Sequence, residues 1–322
     1  MALTEQARWL LSMIYRVGAP RFHEFSPEQA RRSFLKLQRA FCGPAPELAA
    51  VENFFIPRGG DGDGMPVRLY RPQSVAGERL PLCIFYHGGG WCVGDLDSHD
   101  VLCRQLAHLG ACAVLAVGYR LAPEHPFPAA PDDAWLALEW VKAEGAKHGI
   151  DPQRLALCGD SAGGTLAIVT TLAMRDAGQP PPRLLLLIYP CTEIGAVRPS
   201  RQRYGHGHFL DGESLEWFFA HYQANPFDWR ASPMCASSLA GLPPVFLLAA
   251  ECDPVVDEGA AFVDRVLAEG GEAERFVMPG MIHGFVCLRK VFPEADDAVI
   301  RLAASLKARL IGHLPASGMN HG

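Results

Sequence analysis

No apolar run in this 322-residue sequence approaches the roughly 20 residues that a membrane-spanning helix requires. The longest, Leu184–Tyr189 and Val245–Ala250, read instead as buried strands. Basic charge is not in excess either: 29 Lys+Arg stand against 35 Asp+Glu, a net charge of −6. With no basic stripe, a nucleic-acid partner is not expected. The ten cysteines contain no C-x-x-C pair, and Cys83, Cys112, Cys158 and Cys287 each lie inside apolar stretches. That is the pattern of reduced, buried thiols rather than of a disulfide framework. The opening Met1-Ala2-Leu3-Thr4-Glu5 carries an acid where a signal peptide carries lysines, and no small-residue cleavage site comes after it. These absences point to the cytoplasm. Internal repeats and low-complexity segments are also missing.

Glycine and proline, by contrast, are abundant. Together they make 58 of 322 residues, about 18% against an average of roughly 12%. With 49% hydrophobic residues the chain is an ordinary globular one, so the excess implies tight loops, which often carry chemistry. The length allows two domains, or one large α/β domain with an insertion.

Residues 1–45 read as helical. Leu3, Ala7, Leu10, Leu11 and Ile14 share one face of a first helix. Ser26-Pro27-Glu28-Gln29 opens a second with a capping box and a proline in its first turn. Its apolar stripe is Ala30, Phe34, Leu37 and Phe41, and Gly43-Pro44 stops it. This pair is expected to form a lid over the sheet domain C-terminal to it. From about residue 50 strands and helices alternate. Strands are expected at Val51–Ile56, Val67–Tyr70, Leu82–Tyr86, Ala113–Val117, Leu155–Cys158, Leu184–Tyr189, Val245–Ala250 and Ala273–Val277. Helices fall near 97–109, 132–147, 162–177, 257–269 and 294–310. Such alternation implies a mostly parallel, doubly wound sheet of eight strands flanked by helices. The long connection between Tyr189 and Val245 breaks the rhythm and holds its own aromatic helix, Leu215–Tyr222. The expected division is a cap made of 1–45 and 191–240 over a catalytic domain of 46–190 and 241–322.

The strongest chemical signal is Gly159-Asp160-Ser161-Ala162-Gly163, a G-x-S-x-G between an apolar strand and a helical run. This is the sequence of a nucleophile elbow, a strained turn that lifts a serine Oγ above the sheet. The flanking glycines are required because a Cβ there would strike the neighbouring elements. A serine hydroxyl needs a base and an orienting acid, and in this arrangement they come in the order acid, then His. Asp253, just past the strand Val245–Ala250 and aimed by Pro254, is the expected acid, with Glu251 as its competitor. His283, on the loop after the last strand, is the expected base. Phe85-Tyr86-His87-Gly88-Gly89-Gly90-Trp91 supplies a glycine run after a strand, where bare backbone N–H groups can stabilise a developing oxyanion by about 3–4 kcal/mol per donor. The expected oxyanion donors are Gly88, Gly89, Gly90 and Ala162, with His87 holding the loop's shape. A phosphate loop is excluded by the lack of G-x-x-x-x-G-K-[ST]. Asp160 is expected to brace the elbow, and Arg120 and Glu124 to fix neighbouring loops. His206 and His208 lack an evident third ligand for a metal, and His313 and His321 fall in the tail. No metal or organic cofactor is implied. Cys158 and Cys252, beside catalytic positions, suggest sensitivity to thiol reagents.

Taken in order, His87–Trp91, Tyr119–Ala130, Gly159–Gly164, Asp253-Pro254 and His283-Gly284-Phe285 resemble the hormone-sensitive-lipase family of carboxylesterases, of the α/β-hydrolase fold. The likeness spans about residues 50–310, and Val255 replaces the leucine that often comes after Asp-Pro in the family. The resemblance implies a Ser161–Asp253–His283 triad, a helical cap, small-molecule esters of short to medium acyl chains as substrates, and a homodimer through the last strand. Two other readings are weaker: a non-catalytic hydrolase-fold binding protein would lack a triad member, and an amidase or peptidase reading finds no peptide-recognition domain.

Overall fold

The computed structural model describes residues 3–18, 21–59, 63–73 and 79–312, so His313 and His321 lie outside the described residues. One sheet holds β1 (Ala50–Ile56), β2 (Met65–Arg71), β3 (Leu80–Tyr86), β4 (Ala113–Val117), β5 (Ile150–Asp160), β6 (Leu184–Ile188), β7 (Val245–Cys252) and β8 (Ala273–Ile282). Their spatial order is β1-β2-β4-β3-β5-β6-β7-β8. The pairings of β2 with β1 and with β4 are antiparallel; from β4 across to β8 every pairing is parallel. Strands β3, β4 and β6 are buried along their whole length. Helices cover both faces of a parallel sheet, which is why these strands read as unbroken apolar runs.

On one face pack α3 (Asp100–Gly110) and α9 (Glu294–Leu310); on the other lie α4 (Ala129–Glu144), α5 (Ala162–Asp176) and α8 (Val256–Ala268). Helix α1 (Glu5–Arg16) buries Ala7, Leu10 and Leu11, and its preceding Thr4 N–H donates to Gly280 O at 3.2 Å. Helix α2 (Pro27–Phe41) carries the expected capping box: Ser26 Oγ accepts from Gln29 N, and the Gln29 side chain accepts from Ser26 N. The long connection between β6 and β7 contains α6 (Pro199–Tyr204) and α7 (Gly212–Tyr222).

Two strand boundaries depart furthest from the sequence reading, and one short helix is absent from it. Strand β8 continues five residues beyond Val277 to Ile282, through a Pro279-Gly280 pair that reads as a stop; edge strands tolerate both residues. Strand β5 starts at Ile150 rather than Leu155, ahead of an Asp151-Pro152 that looks like a turn. Helix α6 has six residues, too few to display a helical period.

The charged loop residues tie the layers together. Arg31 of α2 donates to Cys92 O and Ala122 O, both at 2.8 Å, and pairs with Glu124 at 2.6 Å. Asp133, fully buried in α4, accepts from Arg120 at 2.9 Å and Arg58 at 3.0 Å. Removing one partner of a buried ion pair leaves charge without compensation. Asp133→Ala should therefore cost about 3 kcal/mol, at the lower end for such pairs because both arginines touch solvent. Denaturant unfolding against the parent chain measures this loss.

Candidate active site

The last ladder position of β5 sets Asp160 against Ile188. The chain then turns through Ser161 at φ 52°, ψ −119°, and enters α5 at Ala162. A non-glycine residue held there costs about 1–3 kcal/mol, sustained only where the surroundings over-determine the backbone. Ser161 N–H donates to Ile188 O at 2.8 Å, and Ser161 O accepts from Thr165 N and Cys191 N, both at 3.3 Å. Just inside the helix, a Cβ on Gly163 would lie 1.9 Å from Tyr86 O of β3. The glycine lets helix and strand meet at backbone distance, which fixes where the serine rises.

Two further loops at the same sheet edge complete a relay. His283 Nε2 is 2.9 Å from Ser161 Oγ, and His283 Nδ1 is 2.6 Å from Asp253 Oδ2. Asp253 is fully buried, and its other oxygen accepts Val255 N–H at 2.9 Å. One carboxylate oxygen is thus held by backbone while the other faces the imidazole. The competing Glu251 faces elsewhere: its Oε2 accepts Gly280 N–H at 2.7 Å, bracing the end of β8, the strand that leads into His283.

The glycine loop after β3 lies opposite. Gly88 departs from the expected oxyanion set because its N–H already donates to Asp160 Oδ1 at 2.7 Å. The N–H groups of Gly89, Gly90 and Ala162 have no acceptor among the described residues. Gly90 has φ +56°, and a Cβ there would lie 2.3 Å from the Phe218 ring of α7. The next residue, Trp91, stacks on Tyr222 of the same helix with centroids 4.2 Å apart and planes at 7°.

Beneath the loop lies a buried polar cluster. His99 Nε2 is 3.3 Å from Asp160, and Ser98 Oγ is 2.9 Å from His99 Nδ1. Burial opposes the charge on Asp160, but the charge and hydrogen bond of His99, then His87 and the Gly88 amide, hold its carboxyl below the usual range. His87 stacks on Tyr119 at 4.2 Å, donates through Nδ1 to Gly88 O at 2.8 Å, and its carbonyl accepts from Tyr119 Oη at 2.7 Å. Burial, and then the neighbouring His99, push the His87 pKa down to about 4. A neutral ring that shapes the loop is what this environment favours.

Ser161, His283, Gly89, Gly90 and Ala162 all face one cavity of about 690 Å³, whose other walls are largely aromatic, with Phe22, Phe34, Phe209 and Phe218 among them. The α/β-hydrolase fold model matches residues 83–287. The chain belongs to the α/β-hydrolase family, in its hormone-sensitive-lipase-like branch. An ethyl acetate hydrolase of Pseudomonas putida is 40% identical to this α/β-hydrolase, over 89% of this chain and 92% of that one. A carboxylesterase of Mycobacterium tuberculosis is 41% identical, covering 76% and 79%. Among solved structures, an α/β-hydrolase enzyme from the metagenome of Lake Arreo superposes with a TM-score of 0.90 at 37% identity, covering 95% of this chain and 98% of that one. A hyperthermophilic esterase from the archaeon Pyrobaculum calidifontis gives 0.85 at 36% identity, covering 96% and 99%.

Several residues at the site of this α/β-hydrolase carry no sequence signal. His99 is one of twelve histidines, and only the fold brings it under Asp160. Phe22 and Phe209 come from segments far apart in sequence. His206 and His208 interact locally, His208 Nδ1 donating to His206 O at 2.9 Å. Among the described residues no helix is long and apolar enough to cross a membrane. Cys158 and Cys252 are buried, and burial raises the pKa of both thiols, which disfavours the thiolate that reacts. Cys235 is the one cysteine that is exposed.

The His87 environment has a consequence for pH. Its folded pKa of about 4 lies below the ordinary 6.5, so the unfolded chain takes up a proton first as pH falls. Stability is therefore lost progressively from about pH 6.5 to about 4, by about 3 kcal/mol from this residue alone. Thermal melts across that window should show the decline, and His87→Gln should flatten it.

Proposed function

We propose that this α/β-hydrolase, an ester hydrolase by family, cleaves short- to medium-chain acyl esters through an acyl-enzyme on Ser161. The observation that carries the reading is the unbroken relay from Ser161 Oγ through His283 to buried Asp253, facing the same cavity as the unengaged Gly89, Gly90 and Ala162 amides. In this mechanism His283 Nε2 accepts the Ser161 proton as Oγ attacks the ester carbonyl. The three amides stabilise the oxyanion, and His283 returns the proton to the departing alcohol. Water then repeats the cycle on the acyl-enzyme, while Asp253 holds the imidazole in the tautomer that presents Nε2 to the serine. The similarity to an ethyl acetate hydrolase of Pseudomonas putida supports small esters.

In the same reading residues 1–45 and 191–240 form a two-part cap over the catalytic domain of 46–190 and 241–322. Arg21 pairs with Asp211 across the two parts, and Phe22 packs on Phe218 with centroids 5.1 Å apart. Ten unpaired cysteines fit a reducing compartment such as the cytoplasm. The outer edge of β8, the last strand of the sheet, is the surface for a homodimer. Light scattering should give about twice the 35.0 kDa chain mass, and a monomer at micromolar concentration would remove this assignment.

Ser161→Ala should lower kcat on p-nitrophenyl butyrate by at least about 10⁴-fold without changing the melting temperature appreciably. Asp253→Asn should cost about 10⁴-fold, and Glu251→Gln far less, because a glutamine oxygen can still accept the Gly280 amide. A near-normal Ser161→Ala would refute the mechanism, and the reverse order of the two acids would exchange their roles. Anilides of the same acids should be turned over much more slowly than the esters.

A further inference from the structure

A second cavity of about 680 Å³ adjoins the first. The two share Phe22, Phe34 and Phe209 as common lining residues, so an aromatic partition separates them. Beyond the partition the outer walls are Leu11 and Ile14 of α1, Leu37 of α2, and Phe25.

The polar groups of the outer cavity are mostly committed to one another. Arg21 pairs with Asp211 and donates to Tyr15 Oη at 2.8 Å. The other oxygen of Asp211 accepts Ser214 N–H at 2.7 Å. His208 is turned to His206 O. Little remains to bind a charged or polar ligand, because the one guanidinium and the one carboxylate neutralise each other. The partition is held from the catalytic side: Phe22 packs on Phe218, and Phe209 lies against Gly284, the neighbour of His283.

We propose that the outer cavity is a second substrate subsite that takes the far end of an uncharged hydrocarbon chain, and that Phe22 and Phe209 set how easily a chain passes into it. This inference rests on the esterase reading and adds to it a chain-length determinant in the N-terminal helices. The chain can belong to the acyl group or to the alcohol, and both would meet the same apolar walls.

The test compares the wild type with Ile14→Trp, which fills the outer cavity, and Phe22→Ala, which opens the partition. Each is assayed for kcat/KM on two ester series: p-nitrophenyl esters from acetate to laurate, and acetate esters from ethyl to decyl. In at least one series, Ile14→Trp should lower the long-to-short ratio by about tenfold or more, and Phe22→Ala should raise it by a similar factor, the discrimination that apolar contact with a methylene or more supplies. A shift in the first series alone assigns the subsite to the acyl chain; a shift in the second alone assigns it to the alcohol. Ratios within twofold of wild type for both variants in both series would overturn the proposal while leaving the esterase reading intact. A wild-type enzyme that turns over no ester in either series would instead overturn the esterase reading.

Discussion

The site depends first on a backbone conformation that serine would not choose. Ser161 is held at positive φ because both ends of the turn are fixed: β5 is locked into the parallel ladder up to Asp160, and α5 begins one residue later. The helix can start there only because its second residue, Gly163, has no side chain to strike Tyr86 O. The strain in the turn is therefore offset by the whole β3–β5–β6 arrangement. A rigid central sheet is the reason a single side chain can be aimed so closely at an imidazole delivered by an edge strand.

Asp160 extends that constraint to the other half of the site. It sits directly before the serine and binds the Gly88 amide, so the elbow and the glycine loop are parts of one hydrogen-bonded unit. The buried His99 hydrogen-bonds its carboxylate from the other side, which satisfies a polar group that burial would otherwise leave costly. From the solvent side Arg31 of α2 grips the carbonyls of Cys92 and Ala122. The loop is held from below by the elbow and from above by α2.

Most of the fold was legible from residue order. Apolar runs marked the buried strands because a covered parallel sheet has no polar face, and the Gly159–Gly163 and Asp253-Pro254 motifs fell where strand ends must lie. What could not be read was distant pairing. Nothing local distinguishes Gly88, whose amide is consumed by Asp160, from Gly89 and Gly90, whose amides are not. His99 and Phe209 likewise reach the site only through the tertiary packing. The far half of β8 was obscured by Pro279 and Gly280, residues that an edge strand accommodates and a central strand would not.

The packing of α7 on the glycine loop also bears on how this protein could be altered. Phe218 fills the space where a Gly90 side chain would be, and Tyr222 lies flat on Trp91. The helix that walls the cavity at Ser161 is therefore also the outer support of the glycine loop whose free amides are proposed to hold the oxyanion. On the proposed mechanism, reshaping α7 to admit a bulkier ester would disturb the groups that lower the barrier for every ester. On that mechanism selectivity and turnover are mechanically joined along α7, whereas Leu11, Ile14 and Leu37 line an outer cavity that the glycine loop does not border.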